Sequence, residues 1–364
     1  RFTLGNLGMA FNLYQGSGTL TSFTLGVGYS KLADFNTTSA AYGQGIDKSI
    51  TDVLAEYMNG VPLSSLGHPD NDPYQPFRRA DVGLWGGILA YQTGILDPMS
   101  DAQDNKQYTV ANNLATGSRI NPSMRNVNKG SIDEYSISGG FNIQNILYLG
   151  FTIGIQDILY RNDNYYAETY DNNPLPLNGM NYIRSLHLDG TGVNFKFGAV
   201  VRPVENLRIG VAVHTPTLVS INEEYIEWMS ADYKNTARGE LLDSPRSLNE
   251  YDINTPTRLL TGISYTLPGV GLITADYERV WYNRMKLRNM GTENWDFQQT
   301  INNEVSSFYQ PANNFRVGIE ATPAQNFYIR AGYANYGECI ATRDAFNNMS
   351  SINSYENYSA GLGF

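Results

Sequence analysis

Eleven stretches of this chain alternate apolar with small or polar residues, and the links between them alternate between short and long. The stretch FTLGVGYSKL, Phe23 to Leu32, shows the pattern. Phe23, Leu25, Val27 and Tyr29 fall on one side of an extended chain, and Thr24, Gly26, Gly28 and Ser30 fall on the other. Strand side chains point to two faces in turn, so each stretch reads as a strand with one greasy and one mild face. The segments are 3–14, 20–31, 132–142, 146–157, 190–202, 207–221, 255–267, 272–280, 314–322, 327–336 and 354–364. The mild faces also carry charge: Lys196, Arg202, Arg208, Arg258, Asp276, Glu278, Arg316, Glu320 and Arg330.

Alternation alone fits a soluble sandwich as well as a barrel in lipid. The links separate the two. Five are tight: 15–18, 143–145, 203–206, 268–271 and 323–326. Five are long: 33–131, 158–189, 222–254, 281–313 and 337–353. A Greek-key sandwich mixes loop lengths at both ends. An up-and-down outer-membrane barrel keeps tight turns on the periplasmic side and long loops outside. The expected fold is therefore all-β: a transmembrane antiparallel up-and-down β-barrel with helical outer loops. Residues 1–364 form a single such barrel, located in a bacterial outer membrane. Its first strand starts outside, so at least one further strand is expected upstream of residue 1.

Composition agrees. Charged residues make up only 16% of the chain, with 26 Tyr and 35 Gly, against roughly 25% charged in soluble domains. No apolar run is long enough for a membrane helix. The net charge of −10 excludes a general nucleic-acid binder, which needs clustered cations. Cys339 is the only cysteine, so no intrachain disulfide forms.

The longest loop, 33–131, carries two helical patterns. In SITDVLAEYMNG (49–60), Ile50, Val53, Leu54, Tyr57 and Met58 share a face, with Ser49 and Asp52 spaced for a capping box and Gly60 as a stop. In 81–96, Leu84, Trp85, Ile88 and Leu89 share a face. These faces either pack on each other and the barrel rim, or line a groove that captures apolar molecules. As a site, the groove comprises those nine residues.

Catalytic chemistry is sparse. Ser185 and His187 sit two apart on one strand without a third group, and His68 and His214 stand apart. No GxSxG, HExxH or phosphate-loop pattern occurs. The chain reads as no enzyme, without cofactor or metal; the Asp/Asn runs at 70–73 and 161–166 are ordinary loop chemistry. Pro216 interrupts a strand, where it cannot donate to the ladder. Pro256 repeats the Thr-Pro pattern at the start of the next strand. These two prolines are expected to kink the wall at one place, as a bulge or as an opening.

Five blocks carry a resemblance: FTLGNLGMAFN, FTLGVGYSKLADFN, GTGVNFKFGAVVRPVENLRIGVAVHTPT, DINTPTRLLTGISYTL and ITADYERVWYNRMKL. With them the chain resembles the FadL/TodX-type outer-membrane transporters, in their Bacteroidetes branch. The resemblance spans nearly the whole chain, and the HTPT block is its most specific part. It implies a 14-stranded barrel with an N-terminal plug, of which the eleven strands here are the second to twelfth. It implies passive uptake of long-chain fatty acids and other hydrophobic compounds. Such cargo is captured between outer loops, held in a lumen pocket and released sideways through the wall. The same branch includes barrels labelled haem receptors, and a related barrel serves type IX secretion, so a structural or assembly role with a protein partner at the outer loops is the alternative. Outer-membrane lipids and lipopolysaccharide are the surrounding partners. A carboxylate head group needs a cation, and Lys196, Arg208, Arg258, Arg316 and Arg330 are the candidates; their other role is salt bridging with Asp276, Glu278 and Glu320.

Overall fold

The structure is a computed structural model that describes residues 3–66, 72–234, 240–291, 294–340 and 354–364. The chain begins with the hairpin β1 (Asn6–Gln15) and β2 (Leu20–Asp34), then the short β3 (Thr37–Tyr42). Two helices follow, α1 (Ile50–Met58) and α2 (Trp85–Gln92). Three long strands come next: β4 (Arg119–Ile143), β5 (Leu147–Asp171) and β6 (Leu177–Val204). Then come β7 (Leu207–His214), β8 (Leu218–Tyr233), β9 (Ser247–Asn254), β10 (Arg258–Leu267), β11 (Gly271–Trp281) and β12 (Lys286–Arg288). Helix α3 (Trp295–Phe308) precedes the last strands, β13 (Pro311–Ala324), β14 (Phe327–Tyr336) and β15 (Tyr355–Gly363).

Eleven strands form one antiparallel wall in the order β1-β2-β4-β5-β6-β7-β10-β11-β13-β14-β15. Each strand on that path pairs antiparallel with its neighbours in chain order, which is the up-and-down topology of a transmembrane barrel, while β3, β8, β9 and β12 pair off the path in the extensions above it. The sheet is open: among the described residues β1 and β15 do not pair with each other.

The outward face explains why these residues form these strands. Leu7, Met9 and Phe11 of β1, Ile137 of β4, Phe151, Ile153 and Ile155 of β5, and Phe195 and Phe197 of β6 are all exposed. So are Ile209 and Val211 of β7, Ile263 of β10, Ile273 of β11, Phe315, Val317 and Ile319 of β13, and Ile329 of β14. The register lines them up across strands, as in Ile137↔Ile153↔Phe195. A continuous apolar belt of this extent has no place facing water, whereas lipid rewards it.

The strands run past the belt. β4, β5 and β6 are 25, 25 and 28 residues long, where about 9–11 suffice to cross a bilayer. The expected long loops 158–189 and 222–254 are therefore largely strand, which corrects the sequence reading. Above the belt the outward residues turn polar, so the apolar alternation that marked the strands stops while the ladder continues. The turn between β5 and β6 spans only 172–176, with Asn172 at φ 58°. The loop expected at 33–131 shortens to 35–118, because β2 and β4 extend into it and β3 pairs with β4.

Within that loop, α1 starts where its cap requires. The Ser49 side chain accepts from the Thr51 N–H at 3.0 Å, and Asp52 accepts from the Ser49 N–H at 3.3 Å. The second helix is shorter than the expected 81–96 and has no polar face. Trp85 through Ala90 are all buried, so the two-sided pattern expected there is corrected: a helix covered on all sides needs no polar stripe.

Candidate functional site

The inner face of the wall borders an open cavity of about 790 Å³. Ala10, Gly26, Gly140, Gly198, Ala212 and Gly262 line it, from strands β1 to β10. Small side chains on successive strands leave the space open. At Gly140 a Cβ would meet nothing within 4 Å. On the loop side Lys196, His214, Glu278 and Arg316 line this cavity.

These residues belong to a chain of ion pairs across the wall. Lys196, His214 and Arg258 stand directly opposite one another on β6, β7 and β10. Lys196 and Arg258 thus flank His214, and like charges so placed need anions nearby, which two buried carboxylates supply. Glu134 of β4 pairs with Lys196 and accepts from Gln156 at 3.0 Å and Asn194 at 3.1 Å. Glu278 of β11 accepts from Arg316 at 2.8 Å and Asn314 at 3.1 Å, and lies 3.7 Å from Arg258. Three cations thus share two carboxylates, and Arg258 is the most loosely held, with half its side chain exposed.

The expected head-group cations separate accordingly. Lys196, Arg258 and Arg316 are brought together. Arg330 lies toward the tight-turn end and pairs with Glu320 at 2.6 Å. Arg208 is exposed near the start of β7 and makes no ion pair among the described residues. Of the expected counter-ions, Glu278 and Glu320 serve, and Asp276 makes no ion pair among the described residues. Sequence reasoning missed Glu134. Its signal was parity: it falls in phase with Ser136 and Ser138 on the mild face of β4.

The kink sits directly above this chain. Thr215-Pro216-Thr217 separates β7 from β8, and Thr255-Pro256-Thr257 separates β9 from β10. The two breaks face each other. Thr217 N–H donates to Thr255 Oγ1 at 2.8 Å, and Thr255 N–H donates to the Thr217 carbonyl at 3.1 Å. On the other side Phe195 N–H donates to Thr215 Oγ1 at 3.0 Å. Threonine hydroxyls thus replace ladder acceptors around each proline, so the wall bends without parting. Below the kink β10 pairs with β7 and β11. Above it β9 pairs with β8 and β12.

The nine loop residues expected to form a capture groove are placed differently. Leu54, Met58, Trp85, Ile88 and Leu89 are buried in one core with Tyr170, Met180, Tyr182 and Met229 from the strand extensions. Ile50 and Leu84 pack against that core. Only Val53 and Tyr57 are exposed. The apolar faces of the two helices satisfy each other, so they line no open groove, and the groove expectation is corrected. Each fully buried side chain contributes roughly 1.5–3 kcal/mol, which the helices could not retain if they opened.

One buried carboxylate fastens this loop domain to the strands, and another braces the strand tyrosines that pack against it. Glu168 accepts from Ser49 Oγ at 2.5 Å, the Ile50 N–H at 2.9 Å, Tyr166 at 2.6 Å and Tyr170 at 2.9 Å. That fills its acceptor capacity and sets a negative charge at the positive end of α1. Burial, and then the adjacent carboxylate, push both tyrosine hydroxyls above their ordinary range. Glu227 accepts from Tyr182 at 2.9 Å and Tyr225 at 2.5 Å. Burial raises its carboxyl above the ordinary value, against the opposing pull of those hydroxyls and Arg184.

Other sequence candidates find different partners. Ser185 donates to Asp163 at 2.7 Å, and His187 lies 4.0 Å from Asp189, so the structure forms no Ser185–His187 hydrogen bond. Residues 161–166 lie inside β5, with Asp163 paired to Arg161 at 2.9 Å. His68 and residues 70–71 lie outside the described residues. Among the described residues no cluster of metal-binding side chains occurs.

No protein-family model and no curated protein matches the chain. Among solved structures it is similar to the Pseudomonas putida toluene transporter TodX. The identity is 11%, over 98% of this chain and 72% of that one, with a TM-score of 0.44. At that distance the likeness assigns neither a family nor a cargo.

Proposed function

We propose that this protein is an outer-membrane barrel that passes hydrophobic small molecules through its lumen, with amphipathic acids such as long-chain fatty acids as the preferred cargo. One observation carries the reading: a cavity walled by small residues ends at a charged row in which Arg258 is only loosely committed. An apolar tail fits beside Gly140, Gly198 and Ala212. A carboxylate then competes with Glu278 for Arg258, which can bind it in two-pronged fashion. Entry does not use a groove between α1 and α2, because that space is core.

The closed loop core supports a second reading, a barrel that serves as a scaffold for a protein partner at its outer loops. Mass spectrometry of organic extracts from protein purified out of its native membrane separates the two. Under transport, fatty acids or similar lipids co-purify. Arg258→Gln lowers the acids relative to neutral apolar compounds, and Gly140→Phe lowers both. A clean extract from wild type, with a partner protein retained, would overturn the transport reading.

A further inference from the structure

The outward face of β11 changes character with height. Ile273 and Ala275 lie in the apolar belt, and Tyr277 packs its ring on Phe315 at 5.0 Å. The next outward residues are Arg279 and Trp281. Five alternate positions cover about 27 Å of strand at 3.4 Å per residue. They pass from hydrocarbon-like to amphipathic to cationic, the order met on leaving a bilayer core through its head groups.

At that rim two guanidinium groups share one ring. Arg279 lies 5.7 Å and Arg284 5.6 Å from the Trp281 centroid. Each is in the range of a cation–π contact, and the two are no more than about 11 Å apart. Neither has a carboxylate within ion-pair distance among the described residues. The strand neighbours of Arg279 are Leu259 and Asn313, which carry no charge. A guanidinium over a ring keeps N–H donors at its edge, and those donors match phosphate oxygens in pairs.

The same loop carries a helix between this cluster and β13. Helix α3 is docked by Asn302, which accepts from the Leu287 N–H at 2.8 Å and donates to its carbonyl at 2.9 Å. At its first turn Trp295 and Phe297 stay more than half exposed. Trp281, set between two cations at the edge of the belt, matches a lipid interface better than open water.

We infer that Arg279 and Arg284, stacked on Trp281, bind the phosphate of a lipid head group in the outer leaflet. The inference rests on the membrane-barrel reading and adds to it a lipid site that is separate from the lumen. Trp281 holds the two guanidiniums at the edge of the belt.

The test is native mass spectrometry of the full chain in dodecyl maltoside with diphosphorylated lipid A, with the same lipid after dephosphorylation, and with inorganic phosphate as competitor. Wild type is expected to retain the phosphorylated lipid at least tenfold better than the dephosphorylated one, and millimolar inorganic phosphate is expected not to displace it. Arg279→Gln with Arg284→Gln loses that preference. Arg279→Lys with Arg284→Lys keeps the charge and folds alike, yet recovers only part of it. Arg125→Gln, a cation stacked on Tyr165, leaves it intact. Equal retention of the two lipids, an unchanged preference in the Gln pair, or displacement by inorganic phosphate would overturn the site. A protein that holds lumen cargo but shows no phosphate preference loses this inference alone. A protein that does not insert into vesicles loses the barrel reading beneath it.

Discussion

Replacing Gly87 by Ala tests how tightly the two loop helices are packed. A Cβ at Gly87 would lie 2.5 Å from Met58 Cγ and Sδ and 3.5 Å from the Leu54 carbonyl. Met58 is fully buried, so it cannot swing into solvent to make room. The overpacking costs about 1–3 kcal/mol, and alanine returns about 1 kcal/mol of helix propensity. The net expected loss is about 0–2 kcal/mol. Met58→Ala alone costs about 2–5 kcal/mol through the cavity it leaves. In that background the new methyl has space, so Gly87→Ala should stabilise by about 1 kcal/mol. The sign reversal is the prediction, with a coupling energy of about 1–3 kcal/mol. Hydrogen exchange of the amides in 50–58 and 85–92 measures it, at tenfold in protection per about 1.4 kcal/mol. If Gly87→Ala costs the same with and without Met58, the helices are not in contact as described and the groove returns as an option.

Four further outcomes follow. Glu227 has a raised carboxyl, so its contribution to stability is complete below the ordinary carboxylate range and is lost as pH climbs through the raised value. Protection of the loop domain should therefore fall as pH rises above the ordinary carboxylate range in wild type, and Glu227→Gln should flatten that slope. Thr255→Val removes the acceptor for the Thr217 N–H and should cost about 1–3 kcal/mol, read as faster exchange at Thr217 in the micelle-bound protein. Glu278→Gln releases Arg258 and Arg316 and should raise retention of acidic cargo severalfold over neutral cargo in co-purification; no change would remove the row from cargo binding. Gly140→Phe projects a ring into the cavity without a backbone clash, so it should lower co-purified lipid severalfold while thermal unfolding of the barrel stays within a few degrees of wild type.

The sequence was most informative where lipid was the implied solvent. Phe23, Ile153, Phe197 and Ile263 alternate strictly because their neighbours face a hydrated interior, and all eleven wall strands were readable from that contrast. It was silent where β4, β5 and β6 rise above the belt. There Asn126, Asn128 and Asn162 bond to one another across the ladder, and polar residues on both faces read as loop. The capping box at Ser49 and Asp52 was visible because it is local. The burial of Trp85 and Leu89 was not, because it depends on Tyr182 and Met229, more than ninety positions away. The cations of the lumen were visible as a set. Which of them meet depends on register: Lys196, His214 and Arg258 align, while Arg330 lies far along its strand.

The central claim is that one face of this wall meets lipid and the other a wet lumen. Spin labels placed singly at 149–156 of β5, in a Cys339→Ser background reconstituted into vesicles, test it most directly. Collision with oxygen and with a water-soluble nickel chelate should alternate residue by residue. Leu149, Phe151, Ile153 and Ile155 should favour oxygen, and Gly150, Thr152, Gly154 and Gln156 should favour the chelate. The same accessibility on odd and even positions would contradict the account.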